Sequence, residues 1–161
     1  MTIKAGDKLP DVTLTRMGAN GPEPIKSADY FNGRKVLLFS VPGAFTPTCH
    51  KTHLPGFVAQ ADAIKAKGVA AVAVVAVNDV FALDAWLTAS GAKGKVDGLA
   101  DGSAVFAKAT GTELDLTDKG LGLRSQRYAA LVDDGAVKWI DIEDNSSCAT
   151  VSSAEAALAK L

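Results

Sequence analysis

Two apolar runs restrict this chain more than any other feature. Val36-Leu37-Leu38-Phe39-Ser40-Val41 and Ala70–Val77 carry apolar side chains at almost every position. A strand with one face in water alternates polar and apolar residues. A run without alternation belongs to a strand covered on both faces, as at the centre of a sheet with helices on either side. Between the two runs, Leu54 through Lys67 is rich in Ala, Ile and Lys and stops at Gly68, which predicts a helix.

The rest of the chain extends that alternation. Asn78-Asp79 starts a second helix carrying Phe81, Leu83, Ala85, Trp86 and Leu87, with Asp79 placed for its first turn. Val96–Ala100 reads as a short strand, Ser103–Thr110 as a short helix ended by Gly111, and Glu113–Arg127 as a loop with one helical turn. Tyr128–Val132 and Val137–Ile142 flank Asp133-Asp134-Gly135-Ala136, a strong hairpin signal. Ser152–Leu161 predicts a closing helix, and Ser152-Ser153-Ala154-Glu155 has capping-box spacing. Met1–Tyr30 suits a lead-in hairpin. The order predicts one α/β domain over residues 1–161: a thioredoxin-like fold with a central mixed β-sheet flanked by helices.

Composition narrows the function. A formal net charge of -1 argues against a nucleic-acid surface, which needs a basic face. No apolar run is long enough to span a bilayer, and the N-terminal MTIKAGDKLPD lacks the apolar centre of a secretory signal. The 2 cysteines lie far apart and form neither a disulfide framework nor a CxxC pair, so a reducing cytoplasm is the expected location. Phosphate-loop spacings are absent, and nothing calls for a cofactor.

Cys49 occupies the junction between the first apolar run and the helix that follows, in Val41–Phe57 (VPGAFTPTCHKTHLPGF). Helix starts expose unpaired N–H groups and partial positive charge, which favour a thiolate. Pro42 and Pro47 stiffen the turn, and Thr46, three residues before Cys49, is placed to turn its hydroxyl toward the sulfur. The bland alternative is an inert core thiol. A thiolate needs a positive neighbour, and Arg124 and Arg127 stand at the entry to the Tyr128–Val132 strand, aimed across the sheet or left as solvated surface charges. His50 and His53 offer too few partners for a metal; packing or a backbone hydrogen bond suits His53 better. Trp86 and Trp139 read as core or interface aromatics.

Pro42, Thr46 and Cys49 have the Pro-x-x-x-Thr-x-x-Cys spacing of peroxiredoxins, and the string Pro42–Phe57 resembles the type II, or peroxiredoxin-5, subfamily. The likeness continues through Val77-Asn78-Asp79-Val80-Phe81, Ala85-Trp86 and Gly122-Leu123-Arg124-Ser125-Gln126-Arg127-Tyr128-Ala129, and covers nearly the whole chain. The resemblance implies a thioredoxin-like fold and thiol-dependent reduction of hydrogen peroxide and organic hydroperoxides. By position it implies that Cys49 is the peroxidatic cysteine, that Thr46 bonds sulfur and peroxide, that Pro42 shields the pocket, and that Arg127 polarises the substrate. Arg124 and His53 are weaker substrate-binding candidates on the same grounds. It further implies a homodimer formed through the active-site end.

Recycling of the oxidised cysteine stays open at this level. Some members of the subfamily carry a resolving cysteine near the C-terminus and depend on thioredoxin. Cys148, in Asp144-Asn145-Ser146-Ser147-Cys148, is the candidate for that role, but its position is offset. In the other cycle glutathione or glutaredoxin attacks Cys49 directly. The rival in another class is a non-enzymatic redox sensor whose oxidised Cys49 alters contact with a partner protein.

Overall fold

A computed structural model describes residues 1–161. In chain order the elements are β1 (Thr13–Gly18), β2 (Gly21–Lys26), α1 (Ser27–Phe31), β3 (Lys35–Val41), α2 (Leu54–Ala66), β4 (Ala71–Ala76) and α3 (Val80–Ala89). They continue with β5 (Asp97–Ala100), α4 (Val105–Thr110), β6 (Glu113–Leu116), β7 (Gly122–Ser125), β8 (Tyr128–Asp133), β9 (Ala136–Ile142) and α5 (Ala154–Leu158). Seven strands form one sheet in the order β2-β1-β5-β4-β3-β8-β9, and β6 and β7 form a separate two-stranded ribbon. The β3–β4 and β4–β5 pairs are parallel; the other pairs in the main sheet are antiparallel. This is the mixed α/β sheet expected from the sequence.

The absence of alternation in β3 and β4 has the anticipated cause. Leu37, Phe39 and Val41 of β3, with Val72, Val74 and Ala76 of β4, point into a core shared with Leu54, Phe57 and Ile64 of α2 and Leu83 and Trp86 of α3. The intervening Val36, Leu38, Ala71, Ala73 and Val75 face the opposite core with Tyr30, Phe31 and Phe106. Ser40 interrupts the apolar run because its hydroxyl pairs with Ser125 Oγ at 2.8 Å, tying β3 to β7.

Three local readings need correction. Residues 113–127 are not a plain loop: β6 and β7 pair there, with a 3-10 turn at Thr117–Lys119 between them. The strands are short and half-exposed, so their pattern is weak. Ser27–Phe31 forms a helical turn where only a hairpin lead-in was expected. The cap of α5 is Ser153, whose hydroxyl accepts from the Ala156 N–H at 3.1 Å, rather than Ser152.

Helical backbone begins at Pro47, earlier than the composition suggested, and passes through a π-turn at Cys49–His53 before α2. The Leu54 N–H reaches back to the Cys49 carbonyl. Pro55 gives a physical reason for the widening: it has no N–H to donate, and its ring would crowd the Lys51 carbonyl in a regular α-turn.

Phe57 anchors this helix, fully buried and stacked on Phe39 with ring centroids 4.1 Å apart. Phe57→Ala is expected to lower unfolding free energy by about 3–5 kcal/mol. Urea denaturation checks this, and a loss below about 1 kcal/mol would contradict the packing described.

Candidate active site

Strand register brings the chemistry together. Ser40 pairs with Tyr128, so Arg127 enters the sheet beside Val41, where the chain leaves β3 for the Cys49 turn. Tyr128 in turn pairs with Ile142, which sets Glu143 next to Arg127, and the Glu143 N–H donates to the Arg127 carbonyl at 2.9 Å. Side chains alternate along a strand. Tyr128 faces one core and Ala129 the other, so Arg127 points to the same side as Ala129, toward Cys49 and α2.

There the Arg127 Nη2 donates to Cys49 Sγ at 2.9 Å. Its Nε donates to the Ser146 carbonyl at 2.9 Å, and its Nη1 lies 2.9 Å from His53 Nδ1. Cys49 is 0 % and Arg127 2 % exposed. No carboxylate touches this guanidinium, since every ion pair in the structure joins other, surface residues. A buried cation without a counter-ion is costly, and the Cys49 sulfur is the remaining group its N–H donors touch. The Cys49 N–H bonds no protein acceptor and stands free at the helix start.

His53 has one compatible tautomer. Its Nε2 lies 2.8 Å from the Ser152 carbonyl, which can only accept, so Nε2 carries the proton. The bare Nδ1 then accepts from Arg127. Burial pulls the imidazole pKa down from 6.5 to about 4; the neighbouring guanidinium lowers it too, against the raising influence of the Ser152 carbonyl. Both ring nitrogens are engaged, and the ring packs on Phe39 and Phe57 with centroids 5.1 and 5.5 Å away.

The other candidate residues fall in different places. Pro42 is buried in the turn after β3. The Thr46 hydroxyl donates to the Gly43 carbonyl at 2.7 Å rather than to the sulfur, which leaves its oxygen able to accept. Arg124 directs Nη1 to the Val77 carbonyl at 3.0 Å and Nε to the Leu121 carbonyl at 2.8 Å, so it braces the loops beside Gly43 instead of reaching Cys49. His50 accepts from Trp86 Nε1 at 3.2 Å, which joins α3 to the π-turn. Cys148 is an exposed free thiol on the loop whose Ser146 and Ser147 carbonyls accept from Arg127 and from Thr48 Oγ1.

Sequence reading missed the groups that act through backbone or through strain. Ser146 and Ser152 contribute carbonyls, which no residue type announces. Phe45, half-exposed beside the turn, has φ of +63°, a left-handed conformation unusual for a bulky residue and typical of strained functional loops.

A thiol held against a guanidinium at a helix start is equipped for nucleophilic redox chemistry, which makes this a thiol oxidoreductase in design. Residues 4–158 match the family described as Redoxin. Peroxiredoxin-2E-2, a chloroplastic protein of Oryza sativa subsp. japonica, is 49% identical over 96% of this chain and 71% of its own. Peroxiredoxin-2C of the same species is 44% identical over 99% of this chain and 98% of its own. Among solved structures, reduced Prx3 from Vibrio vulnificus in complex with hydrogen peroxide superposes with a TM-score of 0.94 at 46% identity, covering 99% of both chains. The chain belongs to the redoxin family, among the type II peroxiredoxins, and is a thiol peroxidase with a thioredoxin-like fold.

The imidazole supplies a pH test. Folded, it takes a proton near pH 4; unfolded, near 6.5. Between those values the unfolded chain binds more protons, so stability is lost as pH falls from 6.5 toward 4. His53→Gln should flatten the fall by an amount on the order of 3 kcal/mol at its acid end. Urea midpoints at pH 7 and 4.5 for both proteins measure it, and parallel losses would refute the neutral, buried imidazole.

Proposed function

We propose that Cys49 is the peroxidatic residue of this thiol peroxidase, and the 2.9 Å contact from Arg127 to its sulfur carries that reading. The thiolate attacks one peroxide oxygen in line with the O–O bond. That bond breaks, Cys49 becomes a sulfenic acid, and the second oxygen departs as hydroxide or alkoxide and takes up a proton. Arg127 and the free Cys49 N–H are the donors available where charge shifts from sulfur to the leaving oxygen. The Thr46 oxygen, whose proton goes to Gly43, is left to accept from the protonated peroxide oxygen. Pro42 screens the same turn from water. Positioning matters as much as ionisation, because nucleophilicity falls as a thiol becomes more acidic.

For the return half of the cycle we infer an external thiol, glutathione or glutaredoxin, with thioredoxin as the alternative. The thiol attacks the sulfenic sulfur, water leaves, and a second thiol releases Cys49 from the mixed disulfide. Support comes from the two thiols, which are unbridged, and from the Cys148 loop, which is held to Arg127 and Thr48 by its own carbonyls. We place two chains together through the active-site end. Phe45, on the turn after β3, and Phe81, in the first turn of α3, are exposed large apolar residues, and the two segments are joined by the Ala44 N–H donating to Asn78 Oδ1 at 2.9 Å. The free thiols fit a reducing compartment such as the cytoplasm.

Cys49→Ser should abolish peroxide turnover, and Arg127→Met should slow sulfenic-acid formation by on the order of 100-fold. Stopped-flow rates decide both; wild-type turnover in the serine variant would overturn the assignment. Intact mass after one equivalent of peroxide separates the cycles: gain of one oxygen supports external recycling, and loss of two hydrogens supports a Cys49–Cys148 bridge. Light scattering should give a dimer mass that falls to monomer in Phe81→Glu.

A further inference from the structure

Glu143 takes no part in the chemistry above, yet it is buried and holds an unusual set of partners. Its carboxylate accepts from the Thr150 N–H at 3.0 and 3.1 Å, the Val151 N–H at 3.2 Å, the Ser152 N–H at 3.0 Å and the Ser152 hydroxyl at 2.9 Å. Consecutive N–H groups curled round an anion form a nest, and here the anion is a side chain of the same loop. Burial pushes the carboxyl pKa up, but the Ser152, Thr150 and Val151 donors outweigh it and keep the group ionised. Glu143 also leaves the sheet directly beside Arg127, through its own N–H.

The nest shapes the segment that faces His53. With its N–H and hydroxyl held by Glu143, Ser152 turns its carbonyl to the imidazole, 2.8 Å from Nε2. That contact fixes the proton on Nε2, leaves Nδ1 to accept from Arg127 Nη1, and so aims Nη2 of the same planar guanidinium at Cys49. His53 is buried, but it also borders a gap in the packing. A cavity of about 440 Å³, lined by Thr52, Gly56, Ala59 and Ala154 among others, lies between α2 and the 149–155 segment. The Ser152 carbonyl and Arg127 Nη1 are the two hydrogen-bond partners that set the orientation of the ring.

We propose that Glu143 is a positioning residue for the peroxidase site, acting through the Ser152 carbonyl and the His53 tautomer to orient Arg127 on the Cys49 sulfur. It rests on the peroxidatic reading of Cys49, and it adds a carboxylate that touches neither substrate nor sulfur. Its effect is on aim: the guanidinium remains, but its direction is no longer fixed.

The full-length chain carries the test, with Glu143→Ala and Glu143→Gln variants whose fold is monitored by near-ultraviolet circular dichroism. Long-range proton–nitrogen NMR reports which His53 nitrogen holds the proton, and stopped-flow fluorescence gives the rate of Cys49 oxidation by hydrogen peroxide. Folded Glu143→Ala should lose the single Nε2–H signature and oxidise more slowly by about tenfold or more. Glu143→Gln, which keeps one accepting oxygen, should fall between it and wild type. An Nε2–H signature kept by folded Glu143→Ala, with oxidation within about twofold of wild type, overturns the proposal. If the alanine variant does not fold, wild-type behaviour of Glu143→Gln in both measurements overturns it instead. Wild-type protein that ignores peroxide defeats the peroxidatic reading alone, because the NMR signature still judges Glu143.

Discussion

The guanidinium of Arg127 is sealed from water with no carboxylate against it, and the surroundings are arranged to suit that charge. Removing such an ion from water costs several kcal/mol unless its N–H groups are bonded and its charge is opposed. Ser146 and His53 supply neutral acceptors and satisfy the hydrogen bonds. The Cys49 sulfur is the one remaining contact of the guanidinium N–H groups. The same buried group that would be a liability in an ordinary core thus has its third contact with a thiol, 2.9 Å from Nη2. His53 has to stay neutral in this setting, since a second cation 2.9 Å from Nη1 would repel the first.

Convergence on that charge is a property of the sheet. Strand ends at Val41, Arg127 and Glu143 lie side by side because β3, β8 and β9 run in antiparallel register. A slip of one residue in β8 would turn Arg127 to the opposite core and bring Tyr128 to the sulfur. The core packing of Leu37, Phe39, Ala129 and Leu131 therefore does more than stabilise the sheet: it holds the register that aims the arginine.

The π-turn contributes in the same way. Widening the helix between Cys49 and His53 leaves the thiol at the helix start while the imidazole stays on the same buried side, one widened turn on. Pro55 makes this local geometry a consequence of sequence, yet its effect depends on Phe57 and Leu54 anchoring the rest of the helix beneath it. Loop residues 146–152 then close the site from above, through backbone carbonyls rather than through side-chain chemistry.

Much of this was legible in the residues. Continuous apolar runs announced the covered parallel strands, and the proline-flanked junction announced a distinctive cysteine. The short ribbon β6–β7 was not legible, because four-residue strands with half-exposed faces leave no clear period. Arg124 and Arg127 looked alike on paper. Only register separates them, since Arg127 enters β8 facing the core while Arg124 lies on β7 and bonds nearby carbonyls. Glu143 was invisible as a site residue, because a carboxylate after a strand says nothing about which N–H groups it will collect. Side-chain chemistry and periodicity are written residue by residue, so sequence alone marked the covered central strands, the main helices and the candidate thiol. Orientation is a relation between distant segments, so only tertiary structure decided which arginine meets the sulfur, which nitrogen of His53 holds its proton, and what keeps both in place.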